Sequence, residues 1–172
     1  MRSSLLAAAL LGGCAAGPGD TSLEVIYDVC QPTLVQAAAG ATEAERASIG
    51  AALDMWRARG GYPLFRQVPD DLTVQALPRV EVVFEEAADP FHGLYDDEHG
   101  VVYVNRRIED DHARSVTIAH ELGHAFGLWH VDRARRISVM NPSNLEVEPT
   151  SGDAAELAEL WGPCAAEEPP AN

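Results

Sequence analysis

Three stretches of the sequence carry apolar residues at helical spacing, and the first of them is the clearest. From Thr42 to Arg59 the apolar side chains of Ile49, Leu53 and Trp56 recur on one face of a helix. Thr42 and Glu45 have the spacing of a capping box, and two glycines follow the last turn. The pattern predicts an amphipathic helix that packs its apolar face on a core.

Shorter apolar segments between the helices predict strands. Residues 64–68, 79–85 and 101–105 are rich in β-branched and aromatic side chains, which favour extended backbone. Residues 22–27 form either a short strand or a lead-in to the domain.

Two further helices follow the last predicted strand. The first begins at Asp110 or Asp111, either of which can cap it, and the second runs from Gly152 to Trp161 with Thr150 or Ser151 as its cap. One helix, then strands, then two helices predicts an α+β domain in which a twisted mixed sheet packs on two long helices.

The middle one of the three helices carries the string His-Glu-Leu-Gly-His-Ala-Phe-Gly-Leu-Trp-His at 120–130. His120 and His124 are four residues apart, so both can point at one metal ion from the same helix face. Gly127 can take a positive φ and end the helix, and His130 then approaches from another direction. Three imidazoles leave the fourth position of a tetrahedral zinc ion open, which is typical of a catalytic site.

Glu121 lies beside the first of these histidines, where its carboxylate can address a water at the metal without binding the metal. The arrangement predicts peptide-bond hydrolysis with Glu121 as general base, and an outer-sphere structural carboxylate is the alternative. A lone H-E-x-x-H occurs by chance in many helices. Fixing five positions makes a chance match on the order of one in a million per window.

The string at 120–130, followed by Ser138-Val139-Met140-Asn141-Pro142, resembles the metzincin metalloproteases, and among them a minimal matrixin-type catalytic domain. In that family a methionine lies beneath the three histidines as an apolar floor, and Met140 matches its position. Val131 and Asn141 depart from residues common in the subfamilies. The motif resemblance covers residues 111–162.

The resemblance also implies where a substrate lies. Metzincins bind a peptide in extended form along an edge strand, which implies contacts from Val102, Tyr103 and Val104 in an edge at 101–105. Asn141 and Pro142 would begin the outer wall of the pocket beyond the scissile bond.

The loop before that strand carries acidic and histidine side chains. Matrixins hold a structural zinc and calcium nearby, but their binding pattern is not reproduced by His92, Asp96, Asp97 and His99. The loop is interpreted as a solvated turn, with a calcium ion as the open alternative.

The N-terminal residues have the composition of an export signal. One arginine precedes an apolar run from Leu5 to Leu11, and Leu11-Gly12-Gly13-Cys14 resembles a bacterial lipobox with Cys14 as the lipid-modified first mature residue. This predicts a cell-envelope lipoprotein, or otherwise a secreted or periplasmic protein. The predicted divisions are a signal peptide at 1–13, a flexible tether at 14–22, a metalloprotease domain at 23–164 and a disordered tail at 165–172.

Lipidation of Cys14 leaves Cys30 and Cys164 as one pair near the two ends of the domain. In an oxidising compartment a disulfide is expected, with two buried free thiols as the alternative. A bridge over so long a loop stabilises by up to about 5 kcal/mol in the chain-entropy model.

The 172 residues carry a formal net charge of −15, and all twelve basic residues are arginines. Such acidity disfavours nucleic acid and anionic membranes as partners, although it usually marks only a solvated surface. The predicted partner is a protein or peptide substrate, with membrane contact only through an N-terminal lipid, and the predicted state is a monomer.

Two classes of function follow. The favoured one is an exported zinc endopeptidase, with a narrow processing peptidase or an aminopeptidase as its nearest variant. The other is a zinc-binding surface lipoprotein that serves as a binding or assembly module without proteolysis. Glu121 favours the enzyme, because a non-catalytic site needs no base beside its first ligand.

Overall fold

The computed structural model describes residues 23–60, 65–69 and 77–164. The predicted signal peptide, the tether with Cys14 and the C-terminal tail lie outside these residues. The elements in chain order are β1 (Thr33–Ala37), α1 (Glu43–Gly60), β2 (Phe65–Val68), β3 (Arg79–Glu85), β4 (Gly93–Asp96), β5 (Val101–Asn105), α2 (Asp111–Ala125) and α3 (Ser151–Trp161).

The five strands form one sheet in the order β2-β1-β3-β5-β4. All neighbouring pairs are parallel except β4, which runs antiparallel to β5. The predicted α+β class with a mixed sheet is confirmed. Strand β1 was not predicted because all five of its residues are buried, so its sequence lacks the alternation of a half-exposed strand.

The prediction that residues 101–105 form the free edge is wrong. Strand β5 pairs with β3 on one side and with β4 on the other. A turn at 97–100 folds β4 and β5 into a hairpin and makes β4 the edge. The peptide contacts predicted for Val102, Tyr103 and Val104 therefore lose their basis, since the backbone of β5 is already paired and Val102 and Val104 lie in the core.

Helix α1 packs against α2 through its predicted apolar face. The Trp56 indole N–H donates to the Ala119 carbonyl at 2.9 Å, and its ring meets Phe126 edge-on with centroids 5.4 Å apart. Both bonds of the predicted capping box are present, from Thr42 N to Glu45 Oε2 and from Glu45 N to Thr42 Oγ1. Helix α1 thus anchors the buried side of α2.

A disulfide joins Cys30 to Cys164, as predicted, and links the segment before β1 to the chain just after α3. That segment is a lead-in outside the sheet: Tyr27 N donates to the Ala125 carbonyl at the end of α2, at 2.8 Å. Within the described parts of the chain, none of the helices has the length and apolarity to cross a bilayer.

Candidate metal centre and active site

Helix α2 sets the positions of the first two histidines. Asp110 caps its start by accepting a hydrogen bond from Ala113 N, as the sequence predicted. At the other end Gly127 has φ 98°, so the predicted positive φ is confirmed. Gly127 N donates to His124 O at 2.8 Å and Leu128 N donates to Gly123 O at 2.9 Å, which is a Schellman end. The chain therefore reverses and returns His130 to the helix.

The three histidines meet at one point. The Nε2 atom of His130 lies 3.1 Å from that of His120 and 3.2 Å from that of His124. All three offered nitrogens lie within 4.8 Å of one another. Three nitrogens bound to one tetrahedral zinc ion at its usual bond length are about 3.3 Å apart. The spacing therefore fits a zinc ion.

For His120 and His124, a hydrogen bond on the far side of the ring fixes the tautomer. It therefore decides which nitrogen directs a lone pair towards the centre. His120 Nδ1 donates to Val139 O at 2.6 Å, and His124 Nδ1 donates to Leu128 O at 2.8 Å. A carbonyl oxygen only accepts, so each Nδ1 carries the proton and each Nε2 is unprotonated. The His130 ring can donate a hydrogen bond to at most one of these two Nε2 lone pairs. A cation, by contrast, can bind the Nε2 atoms of all three histidines.

Burial keeps the ring nitrogens available as ligands. Burial lowers the pKa of His120 to about 4 and that of His124 to about 3, although their carbonyl partners act in the opposite direction. Burial also lowers the pKa of the more exposed His130. Neutral imidazoles are the form that binds metal ions. At neutral pH the site presents an uncharged set of donors.

Glu121 is buried beside this centre, 6% exposed. Burial raises the pKa of its carboxyl to about 8, although the backbone N–H of Tyr95 donates to it and acts in the opposite direction. A cation held by the three histidines would favour the ionised form. A side chain on Gly93 would come within 2.8 Å of Glu121 Oε1, so the edge strand β4 passes directly beside this carboxylate.

Met140 lies on the buried side of α2, between the first two histidines. It is completely buried, and its Sδ packs against Gly123. Its carbonyl accepts from Val131 N at 3.0 Å, which ties the turn to the residue after His130. The role of Met140 as an apolar floor beneath the three histidines stays a prediction.

Asn141 and Pro142, which follow Met140, differ in burial. Asn141 is buried, and its amide donates to Val131 O and Arg136 O while its oxygen accepts from Ser138 N. Its side chain holds the loop closed, which differs from the predicted pocket wall. Pro142 is exposed, and its contact with substrate stays a prediction.

The acidic loop before β5 is not part of the histidine cluster. Asp96 accepts from Glu98 N and His99 N and contacts His99 Nδ1 at 2.9 Å, while Asp97 accepts from Glu24 N. These bonds order the hairpin turn that makes β4 the edge. The question of a calcium ion there stays open.

Sequence reasoning missed the neighbours of Glu121 on β4. Gly93 and Tyr95 belong to a four-residue strand, too short to stand out beside the surrounding turn residues. The signal was the hairpin itself, because a short apolar segment precedes the Gly100 turn and the stronger strand at 101–105.

No family model matches the chain, and no curated protein matches it by sequence. Among solved structures, the chain is similar to myroilysin, at 17% identity and a TM-score of 0.44 over 63% of this chain and 54% of that one. A second myroilysin structure matches at 15% identity and a TM-score of 0.41, over 83% of this chain and 67% of that one.

A third neighbour is high choriolytic enzyme 1, a hatching enzyme zinc-protease from the medaka fish Oryzias latipes. It matches at 14% identity and a TM-score of 0.48, over 81% of this chain and 94% of that one. The chain spans about half the length of the first myroilysin chain, and the assignment of residues at the site rests on the site's own geometry.

Proposed function

We propose that the protein is a zinc-dependent endopeptidase, in which His120, His124 and His130 hold the metal and Glu121 is the general base. The observation that carries this proposal is the convergence of three ring nitrogens, two of them fixed as lone-pair donors, beside a buried carboxylate. His130 is exposed, so the centre opens to solvent on that side. An open side is what a substrate requires.

A zinc ion bound there would polarise the scissile carbonyl and lower the pKa of a nearby water towards neutrality. Glu121 then takes a proton from the attacking water and returns it to the leaving amine. The Tyr95 N–H holds the carboxylate in place for both transfers. The site thus needs no further acid or base for peptide hydrolysis.

The edge strand β4 is the proposed place for the polypeptide substrate. Its outer side pairs with no other strand among the described residues, and Gly93 brings it within contact of Glu121. An extended peptide can add to such an edge as a further strand. Leu94 on this strand and Phe91 just before it are exposed and offer apolar contacts.

We place the enzyme outside the cytoplasm. The Cys30–Cys164 disulfide suits an oxidising compartment, and the composition of the N-terminal residues supports an export signal with Cys14 as a candidate lipid anchor. Labelling cells with a radioactive fatty acid tests the anchor, since Cys14→Ser should abolish incorporation.

Cleavage of a denatured protein by the full chain tests the enzyme proposal. Glu121→Gln should keep one zinc ion per chain and lower the cleavage rate by roughly 100- to 10,000-fold, the usual contribution of a general base. Glu109→Gln, an exposed carboxylate just before α2, is the matched control and should cleave like the wild type.

Two outcomes would refute the proposal. A Glu121→Gln variant that binds zinc and still cleaves at the wild-type rate would remove the base from the mechanism. A wild-type protein that binds zinc and cuts nothing in a broad peptide library would favour the binding-module alternative.

A further inference from the structure

We propose that Asp153 and Ser138 are positioning residues that polarise His120 through a single peptide group. In this relay a buried carboxylate on α3 strengthens the binding of the metal ion by a histidine on α2. The inference rests on the proposed metal-binding function and adds two residues to it that do not touch the metal.

The relay begins at a carboxylate that the fold has fully enclosed. Asp153 is 0% exposed and accepts from Thr150 N and Thr150 Oγ1 at 2.8 Å, from Arg136 Nη2 at 2.9 Å and from Ser138 Oγ. Burial favours the neutral form, yet these hydrogen bonds hold the pKa of Asp153 below its usual value. The side chain is therefore ionised at neutral pH.

The second link is the Ser138 hydroxyl. It donates its proton to Asp153 Oδ1 and accepts from Met140 N at 2.9 Å. The Met140 N–H and the Val139 C=O belong to the same peptide group. That carbonyl accepts from His120 Nδ1 at 2.6 Å. One unbroken chain of hydrogen bonds thus connects the carboxylate to the imidazole.

Each bond in this chain strengthens the next. A hydroxyl that donates to an anion becomes a better acceptor, and the peptide group that donates to it carries more negative charge on its oxygen. A stronger acceptor at Nδ1–H makes the opposite nitrogen of the ring a better metal ligand and fixes its orientation. The charge of Asp153 therefore reaches His120 Nε2 without direct contact.

His124 provides an internal comparison. Its Nδ1 donates to Leu128 O at the end of α2, and no described hydrogen bond links that peptide group to a carboxylate. The two histidines thus share a helix and a kind of partner, but among the described hydrogen bonds only the Val139 peptide group leads on to a carboxylate, and the Val139 carbonyl also accepts from Asn144 Nδ2 at 3.1 Å. An effect confined to His120 distinguishes the relay from general loosening of the fold.

The test measures the zinc affinity of the full oxidised chain by competition with a chromophoric chelator. Asp153→Asn removes the charge with little change of shape and should weaken zinc binding by roughly 10- to 100-fold, as loss of such outer partners does. Ser138→Ala breaks the chain at its second link and should weaken binding in the same direction, by less. Glu156→Gln is the matched control, because Glu156 lies on the same helix as Asp153 and binds the same Arg136, yet it has no hydrogen bond to Ser138 among those described.

A second measurement does not depend on bound metal. In the metal-free protein with ¹⁵N-labelled histidine, His120 should carry its proton on Nδ1, with a strongly downfield proton resonance. Ser138→Ala should move that resonance upfield and leave the corresponding His124 resonance in place. A general loosening of the fold by Ser138→Ala would move both resonances.

The outcomes separate the relay from the zinc proposal. Zinc affinity within about twofold of wild type in Ser138→Ala, with the His120 resonance unmoved, would overturn the relay, as would a wild-type His120 protonated on Nε2. If Asp153→Asn does not fold, the zinc affinity of Ser138→Ala and the His120 and His124 resonances decide whether the relay exists. If the wild type binds no zinc, the proposed function fails and the metal-free resonances still judge the relay.

Discussion

Gly123 lies inside α2 between His120 and His124. Its replacement by alanine tests how closely the helix packs against Met140. In an exposed helix, alanine would stabilise by about 1 kcal/mol over glycine. Here an added Cβ would lie well inside the contact distance of Met140 Sδ and 3.3 Å from Trp56 Cζ2. Met140 and Trp56 are 0% and 3% exposed, so both side chains are enclosed in the core and neither can turn out into solvent.

Overpacking a core costs roughly 1–3 kcal/mol, and so close a contact belongs at the upper end of that range. After the helix gain is subtracted, Gly123→Ala should lower the free energy of unfolding by about 2 kcal/mol. Gly50→Ala in α1 is the matched control. Its Cβ would meet only Oε1 at the end of the Gln67 side chain, 3.1 Å away, and the helix gain of up to about 1 kcal/mol should prevail.

Urea unfolding of the metal-free, oxidised proteins, followed by far-ultraviolet circular dichroism, measures both variants against wild type. The two substitutions should change stability in opposite directions. A Gly123→Ala variant as stable as wild type, or more stable than Gly50→Ala, would refute the close packing of α2 against Met140.

Three further predictions concern the disulfide, acid and the metal. Replacing Cys30 and Cys164 together by alanine should lower the free energy of unfolding by up to about 5 kcal/mol, because the bridge joins residues 134 apart; a loss under about 1 kcal/mol in urea unfolding would contradict this. The pKa of Asp153 is lowered from 3.8 in the folded state, so its contribution is present above that pH and is lost as the pH falls through the lower folded value. The wild type should therefore lose stability steeply below about pH 4. If the unfolding midpoint falls with pH at the same slope in wild type and in Asp153→Asn, this prediction is wrong. Zinc at a hundred times its Kd should stabilise the fold by about 2.7 kcal/mol, and a melting temperature that a chelator does not change would speak against metal binding.

The parts of the fold that could be predicted are those coded by neighbours in the chain. The capping box of Thr42, the Asp110 cap and the positive φ at Gly127 depend on residues a few positions apart. The histidine string is of the same kind, since one helix and one turn bring its members together. Local spacing was sufficient for these features.

The parts that could not be predicted depend on contacts between distant segments. Strand β1 is buried on both faces, so its sequence carries no period, and the edge position of β4 follows from the sheet order rather than from its own four residues. Asp153 reads in the sequence as part of a helix cap, because Thr150 precedes it by three residues. Only the folded chain shows that the same carboxylate also holds Ser138 and Val139.

X-ray absorption spectroscopy of the zinc-loaded protein tests the central claim most directly. The account predicts one zinc ion per chain with three imidazole nitrogens at about 2.0–2.1 Å and one exchangeable oxygen. His130→Ala should remove one of these nitrogens from the spectrum. A spectrum with four protein ligands, or with fewer than three imidazoles in the wild type, would contradict the account.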